Sequence, residues 1–260
     1  MKFEPEELIK KAIKRHKDNI AVACSFGKDS IVMLHMALKL DPNIKVVFAN
    51  TGVEFPETLE YKDKLKKEWN LNLFETKPIK TFWECLDEYG LPRIRGEGKF
   101  REPKCCYYCK NKPAQILYKK LGIRAVFVGI TRAESHQRAM LIERYNNCNK
   151  SKDDLKFCGQ RYYTYTQDLW KYLPIAYWKD KDIWDYFKIN NIPINEVYTK
   201  WNGIYKRCGC LPCTSYRHWE DKLSVTHPIL FEKLKQHETK TSQTSSKAEG
   251  QGGDNERLVK

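Results

Sequence analysis

Residues 24–30 read CSFGKDS, set between the apolar run NIAVA (19–23) and a helical pattern, IVMLHMALKL (31–40). Ser25, Gly27, Lys28, Asp29 and Ser30 therefore fall where a strand ends and a helix begins. The free N–H groups of a helix's first turn point at any bound anion, and the helix dipole adds to the attraction. Gly27 lets the backbone approach a ligand closely, Lys28 supplies a mobile positive charge, and the two serines donate hydroxyls. Asp29 suits a helix N-terminus as a capping acid. The loop of γ-phosphate hydrolases carries another glycine five residues before its Gly-Lys pair. That position is Val22 here, so this loop is of another kind. The plain alternative is an ordinary strand–turn–helix corner that happens to carry a lysine.

Working outward, strand-like runs recur at 20–24, 45–50, 71–76, 124–130 and 173–178. Helical patterns lie between them, at 57–69, 81–90, 110–122 and 180–190. In 81–90, Thr81 and Glu84 are spaced as a capping box and Gly90 is placed to stop the helix. Strands alternating with helices predict an α/β, doubly wound, mainly parallel five-stranded sheet with helices on both faces. Ligand loops then sit at the C-terminal ends of the strands. Residues 1–141 form the expected nucleotide-binding core, 142–168 a polar, aromatic, irregular excursion, and 169–237 the rest of the same domain. Residues 238–260 are polar almost to the end and read as a disordered tail.

The chain of 260 residues carries 47 Lys and Arg against 33 Asp and Glu, a formal net charge of +14. The last 23 residues hold four acids and four bases, so the excess lies on the body. A basic body suits phosphate-bearing partners, DNA or RNA among them, although a lysine-rich solvated surface gives the same count. No apolar run approaches the length of a membrane span. The N-terminus is charged and amphipathic, without the apolar core of a secretory signal. A cytoplasmic protein is expected. Ten cysteines in a reducing compartment point to metal or catalysis before disulfides.

Six of the ten cysteines fall in two clusters, KCCYYCK (104–110) and RCGCLPCT (207–214), each containing a C-x-x-C pair. Such pairs let two thiolates reach one metal from a tight turn, and four thiolates suit either zinc or an iron–sulfur cluster.

The CSFGKDS loop resembles the S-x-G-x-D-S loop of the PP-loop adenine nucleotide α-hydrolases. ANTGVEFPETLEY (49–61) resembles the D-T-G-x-x-F-P-E-T segment of phosphoadenylyl-sulfate and adenylyl-sulfate reductases, with Asn50 in place of the usual Asp. VGITRAESHQRAM (128–140) is similar to their G-x-R-x-x-E/Q-S-x-x-R segment, and GCLPCT (209–214) to their G-C-x-P-C-T. A W-x-x-x-D-I/V-W-x-Y helix before the second cysteine pair is matched at 178–186. The likeness covers residues 15–220. It implies a nucleotide site built from Ser25, Gly27, Lys28, Asp29, Ser30, Thr51, Gly52, Gly129, Arg132 and Arg138. Lys28 and Asp29 take the catalytic roles. It also implies Cys105, Cys106, Cys210 and Cys213 as ligands of a 4Fe–4S cluster, with zinc the lesser choice. Cys109 and Cys208 fall outside that pattern, and either could replace a neighbour. The nucleotide is ATP, with Mg2+ and Asp29 its nearest carboxylate, or else adenylyl sulfate or its 3′-phosphorylated form.

One departure bears on the reaction. The reductases of this family attack sulfur with a cysteine within E-C-G-I/L-H on a C-terminal tail, and this sequence has no cysteine after Cys213. Cys148 and Cys158 are the obvious substitutes, while Cys24 and Cys85 read as structural. Three functions follow. One is ATP-dependent sulfur transfer to a nucleic acid, with a sulfur donor protein as partner. Another is a sulfonucleotide reductase with a non-standard nucleophile. The third is a non-catalytic nucleotide- and cluster-binding subunit. A homo-oligomer or a complex is expected in each case.

Overall fold

The computed structural model describes residues 4–92, 102–146 and 160–249. Its centre is a six-stranded sheet in the order β3-β2-β1-β4-β6-β5. The strands are β1 (Ile20–Ala23), β2 (Lys45–Phe48), β3 (Leu73–Glu75), β4 (Ala125–Val128), β5 (Arg161–Thr164) and β6 (Leu169–Tyr172). All neighbours pair in parallel except β5 with β6. The α/β, mainly parallel sheet thus has one strand more than the five expected. The added strand, β5, lies within the stretch taken for an irregular excursion. Its partner β6 lies at 169–172 and not at 173–178. Pro174 has no N–H to donate to a ladder, so the chain leaves the sheet there.

Alternation along each strand fills two cores. Ile20, Val22, Val46, Phe48, Ala125 and Phe127 face one layer, packed under α1 (Pro5–His16), α2 (Lys28–Leu40), α3 (Pro56–Glu68) and α7 (Asp180–Ile189). Ala21, Val47 and Val126 face the other, with Leu117 and Leu121 of the α5 region (α5, Lys112–Lys120). Near-continuous apolar strands of this kind need cover on both faces. A smaller core joins α4 (Phe82–Tyr89) to α8 (Trp219–Thr226) and α9 (Pro228–Glu249) through Phe82, Leu86, Leu223 and Leu234.

Local signals explain several element ends. Thr81 and Glu84 form the expected capping box of α4, with Gly90 at its C-cap. Residues 106–111, which span the end of the first cysteine cluster and the first two residues of the helix expected at 110–122, form a π-helical turn before α5. Such turns occur mostly as single insertions at functional sites. α6 (His136–Asn146) runs into the supposed excursion. α9 continues to Glu249, where a disordered tail is expected from 238. Its first turns are anchored by the buried Leu234 and by a His237–Asp87 contact at 3.3 Å. Residues 250–260 lie outside the described residues. Among the described residues no helix is long and apolar enough to cross a membrane.

Candidate functional site

β1 ends at Ala23 and the chain turns through Phe26, which takes a left-handed conformation at φ 56° before α2 begins. Ser30, in the first turn of α2, ties the loop together. Its hydroxyl donates to the Gly27 carbonyl at 2.9 Å and accepts from the Ser25 N–H at 3.2 Å. The buried Asn195 holds the loop from outside, donating to the Phe26 carbonyl at 3.2 Å and to Thr58 Oγ1 at 3.1 Å. Asn195 gives no signal in the sequence, because a lone polar residue in a short loop resembles any other.

This end of α2 opens into a cavity of about 310 Å³. Its walls carry Ser25, Gly27, Asp29, Ser30, Thr51, Gly129 and Arg138 of the expected site. Gly129 contributes in an unexpected way. A Cβ there would stand 2.5 Å from the Asp29 carbonyl oxygen, so the glycine also lets the end of β4 close against α2. Thr51 is buried, and both its N–H and its hydroxyl donate to Glu54 Oε1, at 2.9 and 2.7 Å. The same hydroxyl lies 3.4 Å from Cys210 Sγ.

Three expected residues do not line the cavity. Lys28 turns away, its ammonium 3.2 Å from Asp29 and 2.5 Å from Asp180 of α7. A buried ammonium needs acid partners, and α7 delivers one. Only the Lys28 backbone serves the loop, and its N–H donates to the Tyr198 hydroxyl at 2.9 Å. Arg132 projects outward to Glu143 at 3.0 Å. Gly52 is exposed at φ +77°, where it shapes a turn with Asn50, whose Oδ1 accepts the Gly52 N–H at 2.8 Å.

Arg207, beside the second cysteine cluster, takes the place expected of Arg132. It donates to the Glu134 carbonyl, and Arg138 pairs with the Glu134 carboxylate. Burial pulls Arg138 down to about 10 and the neighbouring Arg207 charge adds to this, while Asp29 opposes it. Two guanidinium groups crowded beside a helix N-terminus are costly unless an anion joins them.

The cysteine clusters meet at the far wall. An isolated antiparallel bridge joins Glu54 to Cys210, and the Leu211 N–H donates to the Val53 carbonyl at 2.8 Å. Cys210 thereby faces the cavity. Hydrogen bonding to Cys106 and burial push the Cys105 thiol far up, and Cys213 and Cys210 push it further. Burial lifts Cys210 to about 12, with Cys213 adding and Lys110 opposing. Burial also raises Cys213, and Cys106 adds to it. Cys105, Cys210 and Cys213 are each raised in part by a neighbouring cysteine, which places the two clusters close together. No disulfide joins them. Among the described residues no group of three His, Cys, Asp or Glu side chains is placed to hold a single metal ion, and a set of four thiols suits either zinc or an iron–sulfur cluster.

Cys109 and Cys208 are engaged elsewhere. Cys109 is buried and donates to the Lys80 carbonyl at 3.2 Å. Cys208 accepts from Asn195 at 3.4 Å and stands on the cavity wall near α2. Cys24 and Cys85 are buried, as expected of structural cysteines. Cys148 and Cys158 lie outside the described residues.

A mainly parallel sheet thus carries one cavity bordered by the N-terminus of α2, two arginines and the Cys210 thiol, in an α/β protein. Residues 19–216 match the model of the phosphoadenosine phosphosulfate reductase domain, and the chain belongs to that family. An adenosine 5′-phosphosulfate reductase of Staphylococcus haemolyticus is 30% identical over 211 residues, 80% of this chain and 76% of the relative. Among solved structures, the phosphoadenylyl-sulfate reductase of Candida auris has a TM-score of 0.54 at 21% identity, covering 75% of this chain and 83% of its own. The U34-tRNA thiolase of Methanococcus maripaludis with its 4Fe–4S cluster has a TM-score of 0.50 at 16% identity, covering 91% and 77%. Both structures support the adenine nucleotide α-hydrolase-like fold.

Proposed function

We propose that the chain is an adenylating enzyme of sulfur transfer that binds ATP in the cavity, releases pyrophosphate and serves a nucleic-acid acceptor. The observation carrying this is one continuous cavity bounded by the start of α2 and by the Cys210 thiol. The free N–H groups of α2, Arg138 and Arg207 would hold the phosphates. Negative charge grows on pyrophosphate as the α–β bond breaks, and fixed donors already aimed there stabilise it. Lys28 acts through its backbone and through the position of Asp29. One carboxylate, Asp29, suffices for Mg2+, which keeps waters and substrate phosphates as its other ligands. Cys105, Cys106, Cys210 and Cys213 would hold a 4Fe–4S cluster. When bound, that group supplies a polarisable, electron-rich surface at the end of the cavity. Glu54 and Thr51 fix the Cys210 segment against the nucleotide loop. The net charge of +14 and the family of the tRNA thiolase fold agree with a nucleic-acid acceptor.

Sulfonucleotide reduction is the second reading, favoured by the 30% identical reductase. It needs a thiol nucleophile. Cys208 is a described thiol on the cavity wall, but burial raises it to about 11 and keeps it protonated; Cys148 and Cys158 are the other candidates.

The deciding experiment uses anaerobically purified protein and ATP labelled in the α-phosphate, with and without DNA and tRNA. Pyrophosphate and AMP release stimulated by one nucleic acid is the expected result. Turnover of adenylyl sulfate to sulfite without ATP cleavage would replace it with the reductase reading. Nucleotide binding without either turnover would leave a non-catalytic subunit.

A further inference from the structure

The β5 edge of the sheet carries a strip of aromatic and basic side chains outside the cavity. β5 runs antiparallel to β6, which sets Arg161 opposite Tyr172 and Tyr163 opposite Trp170. Side chains opposite one another in such a pair share a face. Here it is the face toward the core under α1, to which Tyr172 and Trp170 belong. The Tyr163 ring lies 5.4 Å from Trp170, and Tyr165, just past β5, lies 5.0 Å from Tyr163 in an edge contact. Tyr165 is 89% exposed, so its ring is offered to solvent. Arg15, in the last turn of α1, and Arg161 stand 5.0 and 5.7 Å from the centre of the Trp170 ring. Asp168, the acid beside them, is engaged by Arg124 at 2.6 Å and by the Tyr163 hydroxyl. Arg15 is exposed and has no acid partner among the described residues. A guanidinium held by an indole and not by a carboxylate keeps its charge for an incoming anion. Burial lowers His16, and the Arg15 and Arg161 charges lower it further, so positive potential gathers here.

We propose that this strip is a docking platform for single-stranded nucleic acid, with bases stacking at Tyr165 and Tyr163 and phosphates meeting Arg15 and Arg161. Every base has a π-face and every nucleotide a phosphate, so exposed rings bracketed by arginines suit an unpaired strand. A duplex keeps its bases stacked on one another and offers such a strip its phosphates alone. The proposal rests on the nucleic-acid acceptor reading above and deepens it, because the acceptor is then an unpaired strand or loop. The strip lies along an outer strand and not in the cavity, so it anchors the polymer away from the reacting group.

The test is fluorescence anisotropy of the full chain, without ATP, on labelled RNA and DNA strands of roughly ten nucleotides and on a duplex of the same sequence. The wild type should bind one or both single strands roughly tenfold or more tighter than the duplex, and the better strand shows whether the source is RNA or DNA. Tyr165→Ala should weaken the single strand roughly five- to a hundredfold, while Tyr165→Phe, which keeps the ring, binds as the wild type does. Arg15→Gln should weaken it too and lower the slope of log affinity against log salt by about 0.7. Lys67→Gln, at an exposed lysine in the last turn of α3, is the charge control and should change neither. Unchanged melting of each variant shows the fold intact. Equal affinity for the duplex, or wild-type affinity in both Tyr165→Ala and Arg15→Gln, overturns the platform. So does a dimer that Tyr165→Ala splits without loss of oligonucleotide affinity, which gives the face to a second copy of the chain. A strand that binds here yet leaves pyrophosphate release unstimulated keeps the platform and refutes the acceptor reading. Stimulated release with wild-type affinity in the variants does the reverse.

Discussion

Gly129→Ala tests the closure of β4 against α2 most directly. The added methyl carbon would meet the Asp29 carbonyl oxygen at 2.5 Å and Ser30 Cα at 2.6 Å. Both are backbone atoms of the first turn of α2, so no side chain can swing aside. The nearer contact is roughly 0.9 Å short of ordinary van der Waals distance, and the turn must move by most of that. Overpacking of this kind costs about 1–3 kcal/mol, which in a domain of this size lowers the melting temperature by roughly 2–10 °C. The functional cost is larger. The displaced N–H groups are those proposed to hold phosphate, and a misplacement near 1 Å costs on the order of a hundredfold in turnover. Gly209→Ala is the matched control, because it stands on the same cavity wall and its Cβ would meet nothing within 4 Å. Thermal unfolding and nucleotide titration of both variants check this. A Gly129→Ala protein with wild-type melting and affinity would refute the packing, and so would equal damage from Gly209→Ala.

Three other outcomes follow from the site. Lys28→Ala should lower the melting temperature yet keep nucleotide affinity within a few-fold, since its ammonium is spent on Asp29 and Asp180; an affinity loss of a hundredfold or more would put Lys28 back on the phosphate. Cys210→Ser and Cys213→Ser should remove the brown absorbance of anaerobic protein, whereas Cys109→Ser should keep it; the reverse pattern would reassign the ligands. Burial, with the Lys39 charge adding, holds His35 down to about 4, so the folded protein binds fewer protons than the unfolded chain between about 6.5 and 4. Stability that is full above 6.5 should fall as pH drops through that window, and His35→Gln should flatten the fall in a series of melting curves.

The sequence revealed most where a signal is local. The βα alternation, the capping box of α4 and the strand-to-helix junction at 24–30 each follow from a few adjacent residues. β5 was missed because RYYT, flanked by polar residues, is an edge strand that exposes much of its surface, so it lacks the apolar run that marked the others. The side-chain directions were not local either. Lys28 stands in the expected loop, but its destination is set by Asp180, which is about 150 residues away. Arg207 lines the cavity where Arg132 was expected, for the same reason. The spacing within 128–140 shows that an arginine is near the site, and only the packing of the second cysteine segment shows which one enters it. Lys110 and Lys171 reach the cavity wall only through packing, Lys110 from the π-helical turn before α5 and Lys171 from β6.

The segment from Asn195 to Cys213 is what makes the site a unit. Phe26 is a bulky residue at positive φ, a conformation that persists only where its surroundings over-determine it. Asn195 supplies that constraint by donating to the Phe26 carbonyl, and Tyr198 adds to it at the Lys28 N–H. A few residues on, Cys210 is bridged to Glu54, at the end of the loop that follows β2. One short stretch of chain therefore holds the turn before α2, the turn after β2 and the second pair of cysteines at fixed separations. Packed interiors transmit displacement, so a substitution at Asn195, which donates to both the Phe26 carbonyl and Cys208, should disturb the turn before α2 and the start of the second cysteine segment together.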